Sequence, residues 1–303
     1  MGTLARRLCG LAGAGLVGFG GGLLISERSR GEDWGHFAAT PLDPSSSKGE
    51  EPTWLSEGTS KTSPSRVSQI MKWGFPGMDN VRSFNDFVVS YDRRNRVPHW
   101  VAEHLTSSSV KFNPGVDRAK CEFHEDTSIH PYFRSTNTDY KGSGLDRGHL
   151  AAAGNHRLSQ SLVEETFALS NMAPQVGKGF NRDAWNRLEK YVRGLTKRYD
   201  NVWVITGPLY LPQRGEGGHY WVKYRVIGKN NVAVPSHFFK VVVGEGRGEL
   251  DLEAYIMPNA PIDDKAPLEA FRVPLDAVER AAGLLFFDRV PKGGFRQING
   301  RRS

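Results

Sequence analysis

The stretch GSGLDRGHLAAAGNHR, residues 142–157, places Asp146, Arg147 and His149 within four positions, after glycines and before a run of alanines. It is either a polar turn or a chemically active segment. The chain holds 9 histidines, and most offer no local pattern. His99, His104, His124, His130, His219 and His237 stand alone, and His36 falls in a Ser/Pro/Gly/Glu-rich region. A lone histidine is best read as structural, and His156 is read that way too. His149 differs by its company. Arg147 stands two positions before it, and Gly148 between them allows a tight turn of the backbone. Downstream come SNMAPQ, with Asn171, and GFNRDAWNRLE, with Asn181 and Glu189.

The surrounding pattern is that of a mixed domain. FNDFVVSYDRR and RVPHWVAEHL are rich in aromatic and β-branched residues and read as strands. Lys111 to Gly144 is polar and irregular. Residues 181–200, NRDAWNRLEKYVRGLTKRYD, carry Trp185, Leu188, Val192, Leu195 and Tyr199 at helical spacing, which predicts one long amphipathic helix. NVWVITG, YWVKYRVIG, HFFKVVVG and LDLEAYIMP follow as four strand candidates between glycine-rich turns. VPLDAVERAAGLLFF reads as a closing helix. Strands that follow one another without regular helices between them imply an α+β domain with a central antiparallel sheet flanked by helices.

Composition bounds the rest. The 303 residues are 38% hydrophobic, enough for a sizeable core, and carry a net charge of +7. Residues 1–65 hold six Lys or Arg and seven Asp or Glu, so they contribute −1 and the remainder +8. A basic folded part favours a polyanionic partner, although many soluble proteins are basic for other reasons. Two cysteines, Cys9 and Cys121, exclude a disulfide framework and a cysteine-rich zinc site. Cys121 is expected to be a buried or partly buried thiol.

The first thirty residues have two early arginines, no acid before Glu27 and an apolar, glycine-rich middle. Signal peptide, membrane anchor and mitochondrial presequence compete. The presequence is the reading adopted for residues 1–30, with an inner-membrane anchor as the alternative. Residues 31–65 read as a disordered linker, 66–292 as the folded domain and 293–303 as a flexible tail.

Hydrolysis of a phosphodiester needs a group to deprotonate water and groups to stabilise charge on the phosphate and the leaving oxygen. A neutral histidine does the first near pH 7. A divalent cation helped by an arginine does the second. Magnesium keeps most of its waters and needs only one or two protein oxygens, which an Asn carbonyl suits. Asn181 at the start of the helix is the candidate direct ligand. Glu189, eight residues on, lies about 12 Å further along an ideal helix axis and would act through the cation's water shell. From spacing alone, an N-cap explains Asn181 better, a solvated face explains Glu189, and a salt bridge or turn explains Asp146.

LDRGHLAAAGNHR, then TFALSNMAPQ, then FNRDAWNRLEKYVR resemble, in that order, the DNA/RNA non-specific endonucleases, the DRGH branch of the ββα-metal (His-Me finger) nucleases. The resemblance runs over most of residues 70–290, including TNTDYKGSG, VWVITGPLYLP and YIMPNAPI. It implies a ββα-metal element running from just before His149 through the helix with Glu189. It implies His149 as general base, Asn181 as the ligand of Mg2+ or Mn2+, and Arg147, Asn171 and Glu189 as residues that bind phosphate or hold the cation's water. It also implies an upstream arginine, for which Arg118 and Lys120 are the candidates. Mitochondrial members imply a homodimer in the intermembrane space that relocates to the nucleus and degrades DNA in apoptosis. Two alternatives stand beside an endonuclease acting on DNA and RNA. One is a mitochondrial exonuclease of the same family, which has Ser where this motif has Asp146. The other is a nucleic-acid-binding paralogue without catalysis, whose loss would show first at His149 or Asn181.

Overall fold

The computed structural model describes residues 64–302. The presequence-or-anchor segment and all but the last two residues of the expected linker lie outside them. In chain order the first strands are β1 (Val81–Ser83), β2 (Phe87–Asp92), β3 (Val97–Leu105), β4 (Asp146–His149) and β5 (Met172–Gln175). Next come β6 (Asn201–Leu209), β7 (Gln213–Arg214), β8 (Tyr220–Trp221), β9 (Val226–Ile227) and β10 (Val232–Ala233). The last are β11 (His237–Gly246), β12 (Glu249–Pro258), β13 (Phe295–Ile298) and β14 (Arg301–Arg302). The helices are α1 (Arg66–Ile70), α2 (Asn137–Tyr140), α3 (Gln160–Glu165), α4 (Asn186–Gly194) and α5 (Leu275–Ala282).

Eight strands form one sheet in the order β1-β2-β3-β6-β11-β12-β13-β14. All neighbours are antiparallel except β12 and β13. Successive side chains of a strand point to opposite faces, so each long strand feeds two cores. Phe87, Val89, Tyr91, Val101, Leu105, Phe238 and Val242 lie on one face, under Trp185 and under Leu188 and Val192 of α4. Val88, Trp100, Ala102, Phe239, Val241 and Val243 lie on the other, under Ile70 of α1, Val278 of α5 and Phe286. Each large apolar side chain so buried contributes about 1.5–3 kcal/mol. The result is the expected α+β arrangement, with helices on both faces of an antiparallel sheet.

The β4–β5 ribbon sits on the α4 face, joined to the same core through Leu150, Ala151, Met172 and Ala173. Among the described residues no helix is long and apolar enough to cross a membrane.

Three local expectations are corrected. YWVKYRVIG yields only the two short strands β8 and β9, and Tyr220, Trp221, Val222 and Tyr224 are exposed, because this segment has no place in the main sheet. The segment expected as a loose tail instead supplies β13 and β14. Arg296 there is bound to Asp251, and Asn299 Nδ2 donates to the Val273 carbonyl at 2.7 Å. The closing helix is shorter than its apolar pattern, because Gly283 adopts φ 67° and ends α5 in a left-handed cap.

Candidate active site

The motif DRGH is β4 itself. It pairs with β5 in the register Asp146↔Gln175, Arg147↔Pro174, Gly148↔Ala173 and His149↔Met172. Arg147 and His149 therefore share one face of the ribbon. Gly148 is not the turn expected. It lies within the strand, where a Cβ would come 2.1 Å from Gln175 Cδ. The glycine is needed so that the Gln175 side chain can cross the ribbon.

Asn171 is fully buried, and its amide is spent on the backbone. Its Oδ1 accepts from Ala151 N at 2.9 Å, and its Nδ2 donates to the carbonyls of Ala151 and Thr166. It does not line the cavity that gathers the other candidates. Its bonds hold the chain just after His149.

The long helix expected over 181–200 begins differently. Gly177–Trp185 forms a wide π-type turn in which Asn181 N donates to the Val176 carbonyl at 2.9 Å. Gly179 takes φ 85°, a conformation L-residues rarely adopt, and its carbonyl accepts from Ile262 N. Asn181 is thus inside a widened turn and is not an N-cap. The wide turn brings its side chain to Asp146, where Nδ2 donates to Oδ2 at 2.9 Å. Asp146 also takes a bidentate contact from Arg182 at 2.6 and 2.8 Å. The Arg182 guanidinium holds the Asp146 carboxyl below its usual range, helped by Asn181.

His149, Asn181, Glu189, Arg147 and Asp146 all line one cavity of about 930 Å3. Seven Lys or Arg side chains line it against two carboxylates, so it is strongly cationic. Arg118 is among the seven and Lys120 is not, which separates the two upstream candidates. Arg157 and Arg193 also line it, and no motif singled them out. Arg147 is held by Asn137 Oδ1 at 2.6 Å and lies over the Phe123 ring at 4.1 Å. Phe123 and Phe167 in turn pack against the His149 ring.

Burial, with the charges of Arg118 and His156 added, pushes His149 down to about 3, so its imidazole is neutral at pH 7. Its Nε2 is buried with no hydrogen-bond partner among the described residues. Burial pushes Glu189 up to about 7, against the pull of Lys240 and Arg193. A carboxylate so destabilised favours a cation beside it.

Behind this wall lies a buried charged cluster. His156 Nδ1 meets Asp86 Oδ2 at 2.7 Å, and its Nε2 meets Glu103 Oε1 at 3.0 Å. Burial opposes the charge on His156, but hydrogen bonds to both carboxylates outweigh it and hold the imidazole up at about 9. The structural reading of His156 stands. Glu103 also accepts from Asn155, whose Oδ1 accepts from Arg193 at 2.9 Å, tying the cluster to the cavity. Cys121 is half-buried, as expected, and burial raises its thiol.

The donor set fits a hard cation held mainly through water. Among the described residues no three His, Cys, Asp or Glu side chains form a metal cage. An ionised Asp146 can only accept, so it binds the Asn181 amide by its nitrogen and leaves the Asn181 Oδ1 without a hydrogen-bond partner among the described residues. A lone amide oxygen with a carboxylate across the cavity suits magnesium's preference for few protein ligands.

Known proteins share this arrangement of sequence and fold. A sequence model described as DNA/RNA non-specific endonuclease matches residues 66–293. "Endonuclease G, mitochondrial" of Caenorhabditis elegans is 55% identical over 240 residues, covering 79% of this chain and 78% of that protein. The Homo sapiens protein of the same name is 52% identical over 223 residues, 73% of this chain and 74% of its own. A solved structure, "Crystal structure of the EndoG/EndoGI complex: Mechanism of EndoG inhibition", superposes with a TM-score of 0.78 at 62% identity, covering 79% of this chain and 98% of that one. The chain belongs to the DNA/RNA non-specific endonuclease family, and within it is similar to mitochondrial endonuclease G.

Proposed function

We propose that this nuclease is a magnesium-dependent, sequence-nonspecific endonuclease that hydrolyses phosphodiester bonds of DNA and RNA, with His149 as general base and Asn181 as metal ligand. The observation that carries the reading is one cationic cavity that gathers a neutral His149, Asn181, Glu189 and arginines from separate elements. His149 is uncharged at pH 7 and accepts the proton of the attacking water. Its Nε2 is sealed in the protein, so Nδ1 is the accepting atom and Nε2 carries the ring proton. The imidazolium that forms is costly in the free site, but an anionic phosphate in the cavity offsets that cost.

Arg147 and Arg118 offer guanidinium groups to the phosphate oxygens. Asn171 acts indirectly, fixing the backbone that follows His149. Asn181 Oδ1 and Glu189, the latter through water, would hold the cation. When bound, magnesium supplies positive charge to the phosphate and to the leaving oxygen. The cofactor reading would extend to Mn2+, which prefers the same oxygen donors. Mitochondrial residence follows the names of the relatives. A homodimer in the intermembrane space, association with the inner membrane and DNA degradation in apoptosis rest on the family resemblance.

The test is cleavage of supercoiled plasmid and of RNA in magnesium by wild type and His149→Ala. Loss of a positioned general base removes about 10²–10⁴-fold in rate, with the thermal melting profile kept. Near-wild-type cleavage by His149→Ala rejects the assignment. Linearisation of the closed circle separates endonuclease from exonuclease.

A further inference from the structure

We propose that Phe112 and Arg157, with Arg118, form a stacking subsite for one unpaired base of the substrate strand where it leaves the catalytic cavity; this rests on the nuclease reading above. A second cleft, of about 210 Å3, is lined by Phe112, Val116, Arg118, Arg157 and Val163. Arg118 and Arg157 line the catalytic cavity as well, so the two spaces share a cationic wall. Neither guanidinium has a carboxylate partner among the described residues.

Phe112 is 61% exposed, in a polar stretch where burial offers it nothing. The loop that carries it is anchored nonetheless. Asn113 Nδ2 donates to the Leu158 carbonyl at 2.8 Å, pinning this loop beside Arg157. The Arg157 guanidinium carbon lies 6.0 Å from the Phe112 ring centroid. Val116 and the buried Val163 give the cleft an apolar floor.

An exposed aromatic ring on an anchored loop, flanked by two unneutralised guanidiniums, matches the chemistry of a nucleotide: a π-face for the base and cations for its phosphates. The cleft has room for one base and not for a duplex. Every base has a π-face, so such a subsite grips a strand without reading its sequence. It acts only where the base is unstacked, so it favours single-stranded or locally opened substrates.

The test uses full-length His149→Ala protein, which binds without cutting, and two probes: a short oligothymidylate and an abasic strand of the same length. Adding Phe112→Ala should weaken oligothymidylate binding about tenfold and leave the abasic strand unaffected, while Phe112→Trp keeps both affinities. Arg157→Ala should weaken both probes. Equal effects of Phe112→Ala on the two strands, or none on either, overturn the subsite. So does a change in sedimenting mass with affinity unchanged, which would make this face a contact between copies. If the parent variant binds neither strand and wild type leaves plasmid intact, the nuclease reading itself fails. Circular dichroism confirms that each variant is folded.

Discussion

Asn181 Nδ2 lies 2.9 Å from Asp146 Oδ2, and this bond decides which end of the amide faces the cavity. Arg182 keeps Asp146 ionised, so the carboxylate only accepts and the nitrogen must turn toward it. The first residue of the DRGH motif thereby orients a residue 35 positions away.

Replacing Asp146 by Asn keeps the shape and removes the constraint, because an amide both donates and accepts. Asn181 can then flip, presenting a donor where a cation needs an oxygen. The expected outcome for Asp146→Asn is a several-fold increase in the magnesium concentration giving half-maximal cleavage, with the rate at saturating magnesium largely kept. Asn181→Ala should move the titration further. Stability should change by less than about 1 kcal/mol, since the Arg182 partner is largely exposed. A magnesium titration of Asp146→Asn that overlays wild type would reject the orienting role.

The sheet was legible wherever strands are long enough to alternate and to bury both faces, as in FNDFVVSYDRR and HFFKVVVG. YWVKYRVIG has the same residue types, yet its aromatics are exposed, because composition does not say whether a sheet edge is free to receive a strand. β13, the short stretch FRQI, was hidden by the glycines on either side of it and the arginines that follow. Its place depends on Asp251 and Val273, which no local pattern reports. The family resemblance pointed to His149, Asn181 and Glu189, and the fold gathers all three at one cavity. It did not show that the Asn171 side chain turns away from that cavity. Nor did spacing reveal Arg193 and Arg157, or the π-type turn, which depends on contacts between Gly179 and the distant Pro261–Ile262 segment.

Gly148→Ala tests whether the glycine serves close packing. An added Cβ would press on a fully buried Gln175 side chain, whose own amide has no partner among the described residues. Overpacking of this kind costs about 1–3 kcal/mol. The β4–β5 ribbon should shift, misplacing Arg147 and His149 and lowering kcat more than binding. Shortening the opposing side chain in the double variant Gly148→Ala/Gln175→Ser should recover much of the stability, measured by urea unfolding. A single variant as stable and active as wild type would show that the ribbon yields freely.

His156 gives a pH dependence with a definite sign. Its folded-state value of about 9 lies above the unfolded value near 6.5, so the charged form is favoured by folding. The contribution, on the order of 3 kcal/mol, is fully present below pH 6.5 and is lost as pH rises through 9. His156→Gln leaves Asp86 and Glu103 without their shared cation, and breaking such a buried pair costs about 3–5 kcal/mol. Urea unfolding at pH 6, 7.5 and 9 should show the gap between wild type and variant narrowing as pH rises. A gap that is constant or widens would mean that His156 is not held protonated.

Salt dependence reports on the cavity as a whole. Its lining carries a net excess of five cationic side chains, seven against two. If these displace five counterions from duplex DNA, the slope of log affinity against log salt is about −4 to −5. Affinity of the His149→Ala protein should then fall by roughly 10²–10³-fold between about 50 and 200 mM salt. Asp146 and Glu189 line the same cavity as the proposed metal ligand Asn181, so added magnesium should offset their charge and strengthen binding at fixed ionic strength. Lys190→Ala removes one exposed cation from the lining and should reduce the slope by about 1 without sequence preference. Fluorescence polarisation with labelled duplexes of unrelated sequence measures both. A flat salt response, or a slope unchanged in the variant, would mean that the substrate backbone does not run along this wall.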